Sequence, residues 1–136
     1  MNIIKHIKKF QEWFLLKERV NNLEKFPYFR EGEIWWCYLG ENVGHEENGK
    51  GELFLRPVII LKKFNSRLFY GIPTTSVYKD NKFYFEIKLK EKSSYALLSQ
   101  MKAIDVKRLS HKMTKMPDGD FIILKKQMSK LISGKN

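Results

Sequence analysis

Apolar residues recur at intervals of three and four near both ends of the chain, and this period is typical of amphipathic helices. The first such segment predicts a helix over residues 1–25, which the Phe-Pro-Tyr sequence at 26–28 brings to an end. The pattern would also suit a membrane surface, but the glutamates within it favour packing against the domain or a second subunit. The second segment predicts a helix after residues 117–120, where an Asp side chain can accept hydrogen bonds from free backbone amides.

Between the helices, bulky and β-branched residues gather in short runs that predict strands. The second and third runs are joined by Asn65-Ser66 and should form a hairpin. Closely spaced short strands between two terminal helices predict a mainly β fold, a small twisted barrel, and not a parallel α/β sheet. The six predicted strands cover residues 34–39, 56–63, 67–72, 83–89, 95–98 and 100–104.

Residues 58–61 form an unbroken aliphatic run, which predicts a strand buried on both faces. Arg56 stands at the start of this run, Pro57 marks the point where a strand leaves a loop, and the preceding polar loop contains three glycines. A permanently charged guanidinium held between a loop and a rigid strand suits a functional cation. The other interpretation is an arginine that extends to solvent at a strand end, and this fragment by itself favours it.

The length of 136 residues, 43% of them hydrophobic, predicts one domain with a single core. The formal net charge of +11 favours a polyanionic partner, most often nucleic acid, although a lysine-rich surface kept for solubility would give the same charge. Trp35, Trp36 and Tyr38 are interpreted as core residues rather than as platforms on which bases stack.

Cys37 is the only cysteine, which excludes an intrachain disulfide and a thiolate metal cluster and fits a reducing cytoplasm. His6, His45 and His111 are widely separated and do not make a zinc site by themselves. We therefore expect neither a metal nor another cofactor. No apolar run approaches the ~20 residues of a membrane helix, and the N-terminal segment lacks the features of a signal peptide, so we expect no membrane partner.

Six short motifs follow one another from Gly32 to the final helix. They are Gly-Glu-Ile-Trp-Trp at 32–36, Val-Gly-His-Glu at 43–46, Arg-Pro-Val-Ile-Ile-Leu at 56–61, Pro-Thr-Thr-Ser at 73–76, Leu-Ser-Gln-Met-Lys-Ala-Ile-Asp at 98–105 and Lys-Arg-Leu at 107–109. In this order they resemble the PemK/MazF family of toxins from type II toxin–antitoxin systems. On this resemblance, residues 28–136 form the family's domain and residues 1–27 form an added N-terminal amphipathic helix.

The resemblance implies an SH3-like barrel of the PemK/CcdB type that pairs into a homodimer. It also implies a cytoplasmic mRNA interferase that cuts single-stranded RNA without a metal, leaves 2′,3′-cyclic phosphate and 5′-hydroxyl ends, and is neutralised by an acidic antitoxin. The family's active-site arginine and threonine match Arg56 and Thr75, and Thr74 replaces Thr75 if the alignment slips by one residue. The alternative is a non-catalytic nucleic-acid binder or a gyrase-poisoning toxin of the same fold, and the presence of both Arg56 and Thr75 favours the enzyme.

These residue types suit a reaction in which the 2′-hydroxyl of the RNA attacks the adjacent phosphorus. The protein then supplies no nucleophile, but it must stabilise charge on the phosphate oxygens and manage protons at two oxygens. A fixed guanidinium offers two parallel donors to such oxygens, and a threonine hydroxyl adds another. Because an arginine normally stays protonated, an electrostatic role for Arg56 is better founded than a role as a base.

The resemblance also indicates further RNA contacts and some departures from the family pattern. Gln100 either reads a base edge or braces the sheet. His45 stands where a serine is usual, and it is either a proton carrier or an ordinary loop residue. The loop between Glu46 and Arg56 is longer than in typical members. The expected RNA contacts are Glu46, Thr74, Ser76, Gln100 and Lys102, with Lys107 and Arg108 as further phosphate contacts.

Overall fold

The computed structural model describes residues 2–134, with side chains from residue 9 onward, so the predicted helix start at Met1 lies outside the described residues. The described residues form two helices and seven strands. The elements are α1 (Asn2–Asn21), β1 (Glu33–Tyr38), β2 (Leu55–Lys63), β3 (Leu68–Thr75), β4 (Tyr84–Leu89), β5 (Lys92–Leu97), β6 (Lys102–Asp105), β7 (Leu109–Lys115) and α2 (Asp118–Ser133). Short 3-10 turns occupy Leu98–Gln100 and Val106–Arg108.

The strands pair in antiparallel fashion in the order β4-β5-β3-β2-β1-β7. Strand β3 has two different neighbours on one edge, because its first half, up to Gly71, pairs with β6 and its last two residues pair with β5. The sheet therefore turns at β3 and curls into a half-barrel, and helix α2 contributes Leu124 and Met128 to the core. The predicted mainly β barrel with terminal helices is confirmed.

Strand β2 lies between β1 and β3, and its residues 58–61 are buried. Alternate residues point into two clusters, one of which contains Phe69 of β3 and the other Leu124 of α2. The predicted strand with two buried faces is confirmed, and so is the hairpin with β3, in which Ile59 pairs with Ile72. Such a strand is a rigid base for any group at its start.

Helix α1 ends at Asn21, before the predicted end at Lys25. The Asn21 carbonyl accepts a hydrogen bond from Lys107 Nζ at 2.9 Å, so a side chain of the barrel satisfies one of the free carbonyls at the helix terminus. The chain then leaves the helix and buries Phe29 completely. The helix therefore ends before the proline signal at Pro27 is reached, and a side chain of the barrel contacts its last residue.

Helix α1 packs against its own barrel, since its Trp13 and Val20 are both buried. This is one of the two predicted alternatives. Among the described helices, none is long and apolar enough to cross a membrane.

The sequence prediction missed strand β7, which pairs with the outer edge of β1 with two irregularities in register. Its exposed lysines and few large apolar residues are typical of an edge strand, so the usual alternation is weak. Other boundaries also moved, and β5 begins at Lys92 instead of Tyr95. Strand β3 runs through Thr75 instead of ending at Ile72, and Gln100 ends a 3-10 turn instead of opening the sixth strand.

The entrance of helix α2 also differs from the prediction. Within the described part of the chain, no side chain caps its first turn, and the Phe121 amide donates to the Pro117 carbonyl at 3.0 Å. The Asp118 carboxylate lies 3.6 Å from Lys115 Nζ instead of accepting from free amides. The expected capping by an Asp side chain is therefore wrong, because the N-cap position is occupied by Pro117, whose side chain has no hydrogen-bond acceptor.

Cys37 is fully buried on β1, and this burial raises the pKa of its thiol to about 12. We expect native Cys37 to resist thiol reagents at pH 8 and to react only when the protein unfolds. Because the folded-state pKa is the higher one, the contribution of this thiol to stability is present below the unfolded value near 9.0 and is lost as pH rises towards 12. Labelling with a chromogenic disulfide in buffer and in denaturant measures the first effect, and denaturation midpoints at pH 7 and pH 10 measure the second. Immediate stoichiometric labelling of the native protein would contradict this expectation.

Candidate active site

Two concave surfaces adjoin each other at the start of strand β2. The first, which we call the Arg56 cavity, has a volume of about 720 Å³, and the second, the Gln100 cavity, about 430 Å³. Glu47 lines the Gln100 cavity, and its carboxylate pairs with Arg56 in the Arg56 cavity. The two cavities therefore meet at this ion pair. The predicted site residues divide between them, with Arg56, Thr74, Thr75 and Ser76 in the Arg56 cavity and His45, Glu46, Gln100 and Lys102 in the Gln100 cavity.

Arg56 does not extend to solvent, because only 6% of the residue is exposed. Its Nε donates to the Asn48 carbonyl at 2.5 Å and its Nη1 to the Thr74 carbonyl at 2.9 Å. Its Nη2 lies 2.8 Å from Glu47 Oε1. The interpretation favoured by the fragment alone, a solvated arginine at a strand end, is therefore wrong, since the loop before β2 folds over the side chain.

These contacts fix the orientation of the Arg56 guanidinium, and its surroundings shift its pKa. Burial lowers its pKa from the ordinary value, and the carboxylate of Glu47 acts in the opposite direction. A guanidinium carries five N–H groups, and three of them have acceptors among the described residues. One N–H on each Nη remains, which is the number that a contact with two phosphate oxygens uses.

Thr74 and Thr75 differ in the availability of their hydroxyl groups. Thr74 is 1% exposed, and its Oγ1 donates to the Pro57 carbonyl at 3.0 Å. Thr75 is partly exposed, and its Oγ1 accepts from the Val77 amide at 3.2 Å, so its hydroxyl hydrogen is not used in that bond. The geometry therefore favours Thr75 over Thr74 as the hydroxyl that could donate to a bound phosphate.

Gln100 joins the Gln100 cavity to the loop before β2. Its Nε2 donates to the His45 carbonyl at 3.0 Å, and its Oε1 accepts from the Glu47 amide at 3.1 Å. The amide therefore braces a loop and not the sheet, and its role in reading a base edge stays a prediction. The loop is therefore held against the barrel from outside, directly beside the residue that pairs with Arg56.

The remaining predicted residues lie around this centre with different degrees of exposure. His45, Glu46 and Ser76 are exposed, and Glu46 Oε1 accepts from the Val43 amide at 3.0 Å. Lys102 is half-buried, and burial and the nearby Arg108 lower its pKa. A cation that is partly desolvated beside an open cavity is suited to binding an anion.

Lys107 and Arg108 make protein contacts in place of a free basic surface. Lys107 Nζ donates to the Asn21 carbonyl at 2.9 Å, and Arg108 Nη1 donates to the Tyr38 carbonyl at 3.0 Å. Their role as phosphate contacts stays a prediction, and the structure shows that Lys107 contacts the end of helix α1 and Arg108 the end of strand β1.

Sequence reasoning missed the two residues that hold Arg56 most closely, Glu47 and Asn48. The pair of successive carboxylates at 46–47 ahead of a conspicuous arginine was the available signal. Sequence reasoning also placed Trp36 in the core, whereas this partly exposed indole lines the Arg56 cavity and stacks on His111 with 6.1 Å between the ring centroids. Trp35, by contrast, is buried as predicted.

Tyrosines flank the threonine side of the Arg56 cavity. Tyr95 is the register partner of Thr75, so the two side chains emerge on the same face of the sheet. Its ring centroid lies 5.3 Å from that of Tyr78 and 6.5 Å from that of Tyr84. Partly exposed aromatic rings beside a candidate phosphate site are suited to stacking on bases.

Among the described residues, no group of three or more His, Cys, Asp or Glu side chains could hold a metal ion.

Comparison with known proteins relates this geometry to a family. Residues 30–132 match the family model described as PemK-like, MazF-like toxin of type II toxin–antitoxin system. No curated protein matches the chain by sequence. Solved structures match its fold. MazF from Deinococcus radiodurans is 18% identical with a TM-score of 0.61, over 81% of this chain and 99% of that one.

Two further solved structures are similar to the chain. A MazE–MazF complex from Deinococcus radiodurans is 15% identical with a TM-score of 0.56, over 83% of this chain and 100% of that one. An endoribonuclease from a mycobacterial species is 9% identical with a TM-score of 0.56, over 82% of this chain and 97% of that one. At these identities the structural matches establish the fold, and the family model covers most of the chain. The chain therefore belongs to the PemK-like, MazF-like toxins of type II toxin–antitoxin systems.

Proposed function

We propose that the protein is an endoribonuclease that cuts single-stranded RNA, messenger RNA in particular, through attack by the RNA's own 2′-hydroxyl. The observation that carries this proposal is the buried Arg56 guanidinium, held by three acceptors at the wall of an open cavity that Thr75 also lines. Family membership supports the proposal, and so does the mycobacterial structural neighbour that bears the name endoribonuclease.

In the proposed reaction, the 2′-oxygen forms a bond to phosphorus and the bond from phosphorus to the 5′-oxygen breaks. The products are a 2′,3′-cyclic phosphate and a 5′-hydroxyl. The two remaining N–H groups of Arg56 would contact the non-bridging oxygens, where negative charge grows in the transition state. The hydroxyl of Thr75 would add one further donor. Burial lowers the pKa of Arg56 and Glu47 opposes this effect. The electrostatic role suits Arg56 best, because an arginine normally stays protonated in a protein.

The proton of the 2′-hydroxyl must leave, and the 5′-oxygen must gain one. His45 and Glu46 are exposed titratable groups on the loop before β2 and line the adjoining Gln100 cavity, and we assign His45 the role of proton carrier. On one side of the cut, the RNA chain would lie along the Gln100 cavity and contact Lys102, Gln100 and Glu46. On the other side it would pass Ser76 in the Arg56 cavity. A formal net charge of +11 supports binding to such a polyanion.

The proposed function includes two protein partners and a place of action. We assign the protein a homodimeric state, supported by strands β4 and β7, each of which pairs on one side only within the described residues. We also assign an acidic antitoxin that lies along the basic cavities and blocks RNA, supported by the charge of this chain and by the structural neighbour solved as a MazE–MazF complex. Action on messenger RNA places the protein in the cytoplasm.

The neighbouring threonines provide a matched pair of variants that tests the site. Thr75→Val, which removes the hydroxyl but keeps the branched shape, is expected to slow RNA cleavage about tenfold or more with little change in stability. Thr74→Val leaves the Pro57 carbonyl without its donor, and it is expected to cost about 1–2 kcal/mol of unfolding free energy. A labelled RNA time course and denaturant unfolding separate the two effects. Full activity in Thr75→Val, or loss of activity confined to a folded Thr74→Val, would move the role away from Thr75.

A further inference from the structure

Two of the three groups that hold Arg56, Glu47 and Asn48, belong to a loop, residues 40–54, whose two ends meet at a narrow neck. The Phe54 carbonyl accepts hydrogen bonds from the Leu39 amide at 2.9 Å and the Gly40 amide at 3.2 Å. Gly40 and Phe54, which we call the loop neck, have φ angles of +85° and +51°. The left-handed conformation is unfavourable for a residue with a bulky side chain such as Phe54. Surrounding contacts must therefore hold the neck in this shape.

The indole of Trp13, on helix α1, covers the loop neck. A Cβ atom at Gly40 would lie 2.2 Å from Cε2 of Trp13, so the ring rests directly on the glycine backbone. The Trp13 and Phe54 ring centroids are 5.6 Å apart, and each residue is only 5% exposed. Only glycine allows so close an approach at position 40. Gly40 and Trp13 are therefore matched to each other in size at this contact.

Helix α1 is itself attached to the barrel close to the neck. The Arg108 guanidinium lies 5.7 Å from the Trp13 ring while it donates to the Tyr38 carbonyl, the last residue of β1. Lys107 holds the end of the helix through the Asn21 carbonyl. The family match begins at residue 30, after helix α1 has ended. The helix therefore adds contacts to the loop that come from outside the segment matched to the family.

A short series of hydrogen bonds connects the loop neck to Arg56. Asn42 Nδ2 donates to the Leu39 carbonyl at 3.1 Å and to the Glu47 carbonyl at 2.7 Å. The Asn42 amide donates to Asn48 Oδ1 at 2.5 Å. Glu47 and Asn48 are two of the three groups that hold the guanidinium. A change in the conformation of the loop neck would thus be transmitted through Asn42 to the groups that hold Arg56.

We infer that helix α1 is a clamp on this loop, and that Trp13 is the positioning residue that keeps Glu47 and Asn48 on the Arg56 guanidinium. The effect on catalysis rests on the proposed function, whereas the effect on the loop does not. Because small displacements of a preorganised group reduce a rate strongly, the clamp would act on turnover more than on RNA binding.

The first test is hydrogen exchange on the full chain without RNA, comparing wild type, Trp13→Ala and Leu124→Ala. Leu124 is fully buried in the core under helix α2, so its replacement destabilises the barrel without touching the loop neck. We expect Trp13→Ala to speed exchange at residues 40–54 about tenfold or more, and residues 58–63 to respond no more than they do in Leu124→Ala. Unchanged loop exchange in Trp13→Ala, or an equal rise in Leu124→Ala, overturns the clamp. If Trp13→Ala fails to fold, Trp13→Leu replaces it with the same expectations.

The second test measures cleavage of single-stranded RNA by Trp13→Ala, Trp13→Phe and Phe14→Ala. Phe14 is 64% exposed on the same helix, so it controls for changes to α1 that do not reach the neck. We expect kcat of Trp13→Ala to fall about tenfold with KM little changed, partial recovery in Trp13→Phe, and wild-type rates in Phe14→Ala. Wild-type kcat in Trp13→Ala would overturn the positioning role. If wild type cuts no RNA but the exchange result holds, the proposed function fails and the clamp on the loop stands.

Discussion

Replacement of Arg56 by alanine is expected to slow the cleavage of single-stranded RNA about a hundredfold or more, which is the scale for losing one preorganised donor to a developing oxyanion. The guanidinium is oriented in advance by Glu47, Asn48 and Thr74, so little reorganisation is needed when a phosphate arrives. Arg56→Lys should recover little activity, because a point ammonium cannot reproduce the fork that meets these acceptors. Initial rates on labelled RNA at saturating substrate measure both variants.

The same substitution also affects folding, so stability must be measured beside activity. Without the guanidinium, two carbonyls lose their donors and Glu47 loses its counter-ion, and we expect a loss of about 1–3 kcal/mol of unfolding free energy. Arg67→Ala is the matched control, since it removes the same charge from an exposed residue at the turn between β2 and β3. We expect it to leave the cleavage rate unchanged. An Arg56→Ala protein that is folded and cuts RNA at the wild-type rate would falsify this assignment of the site.

A single deoxynucleotide on the 5′ side of the cut is expected to abolish cleavage at that position. The 2′-hydroxyl of that nucleotide is the proposed nucleophile, and no other group in the proposed reaction can replace it. Because the nucleophile comes from the substrate, the reaction should also continue in EDTA. Gel analysis of end-labelled RNA measures both effects, and treatment of the products with phosphatase and kinase identifies the cyclic phosphate and the 5′-hydroxyl.

Position within the RNA provides the control for this experiment. A deoxynucleotide one position further along, on the 3′ side of the cut, keeps the charge and the bases and should leave cleavage largely intact. Cleavage of the deoxy-substituted site, or 3′-hydroxyl and 5′-phosphate ends, would replace the proposed mechanism with attack by water. An absolute requirement for magnesium would contradict the proposed metal-independent reaction. These results would leave the fold and the family assignment unaffected.

Hydrophobic pattern was most informative where burial is local and regular. Residues 58–61 are apolar at successive positions because strand β2 has a core cluster on each face, and the sequence is sufficient to show this. The turn at Asn65-Ser66 likewise joins two strands that are neighbours along the chain. The motif order from Gly32 onward predicted the family, and the family match covers residues 30–132.

Patterns failed where an element depends on a distant partner. Strand β7 is polar because it lies at an edge, and only its pairing with β1 makes it a strand. Helix α1 ends at Asn21, well before Pro27, and its terminal carbonyl accepts from Lys107, far along the chain. Neither contact leaves a periodic trace in the local sequence, since each depends on one side chain or one neighbouring strand.

For the candidate site, the amino-acid sequence alone determined the residue types and the strand on which Arg56 stands. The tertiary structure decided what those residues do, because the decisive contacts join positions separated by a loop, a strand or most of the barrel. Arg56 meets the carbonyl of Thr74, 18 positions away, and Gln100 meets Glu47 across 53 positions. A buried guanidinium must find acceptors, but the sequence does not show which ones are near. Their identity follows only from the way β2, β3 and the loop over residues 40–54 come together in space.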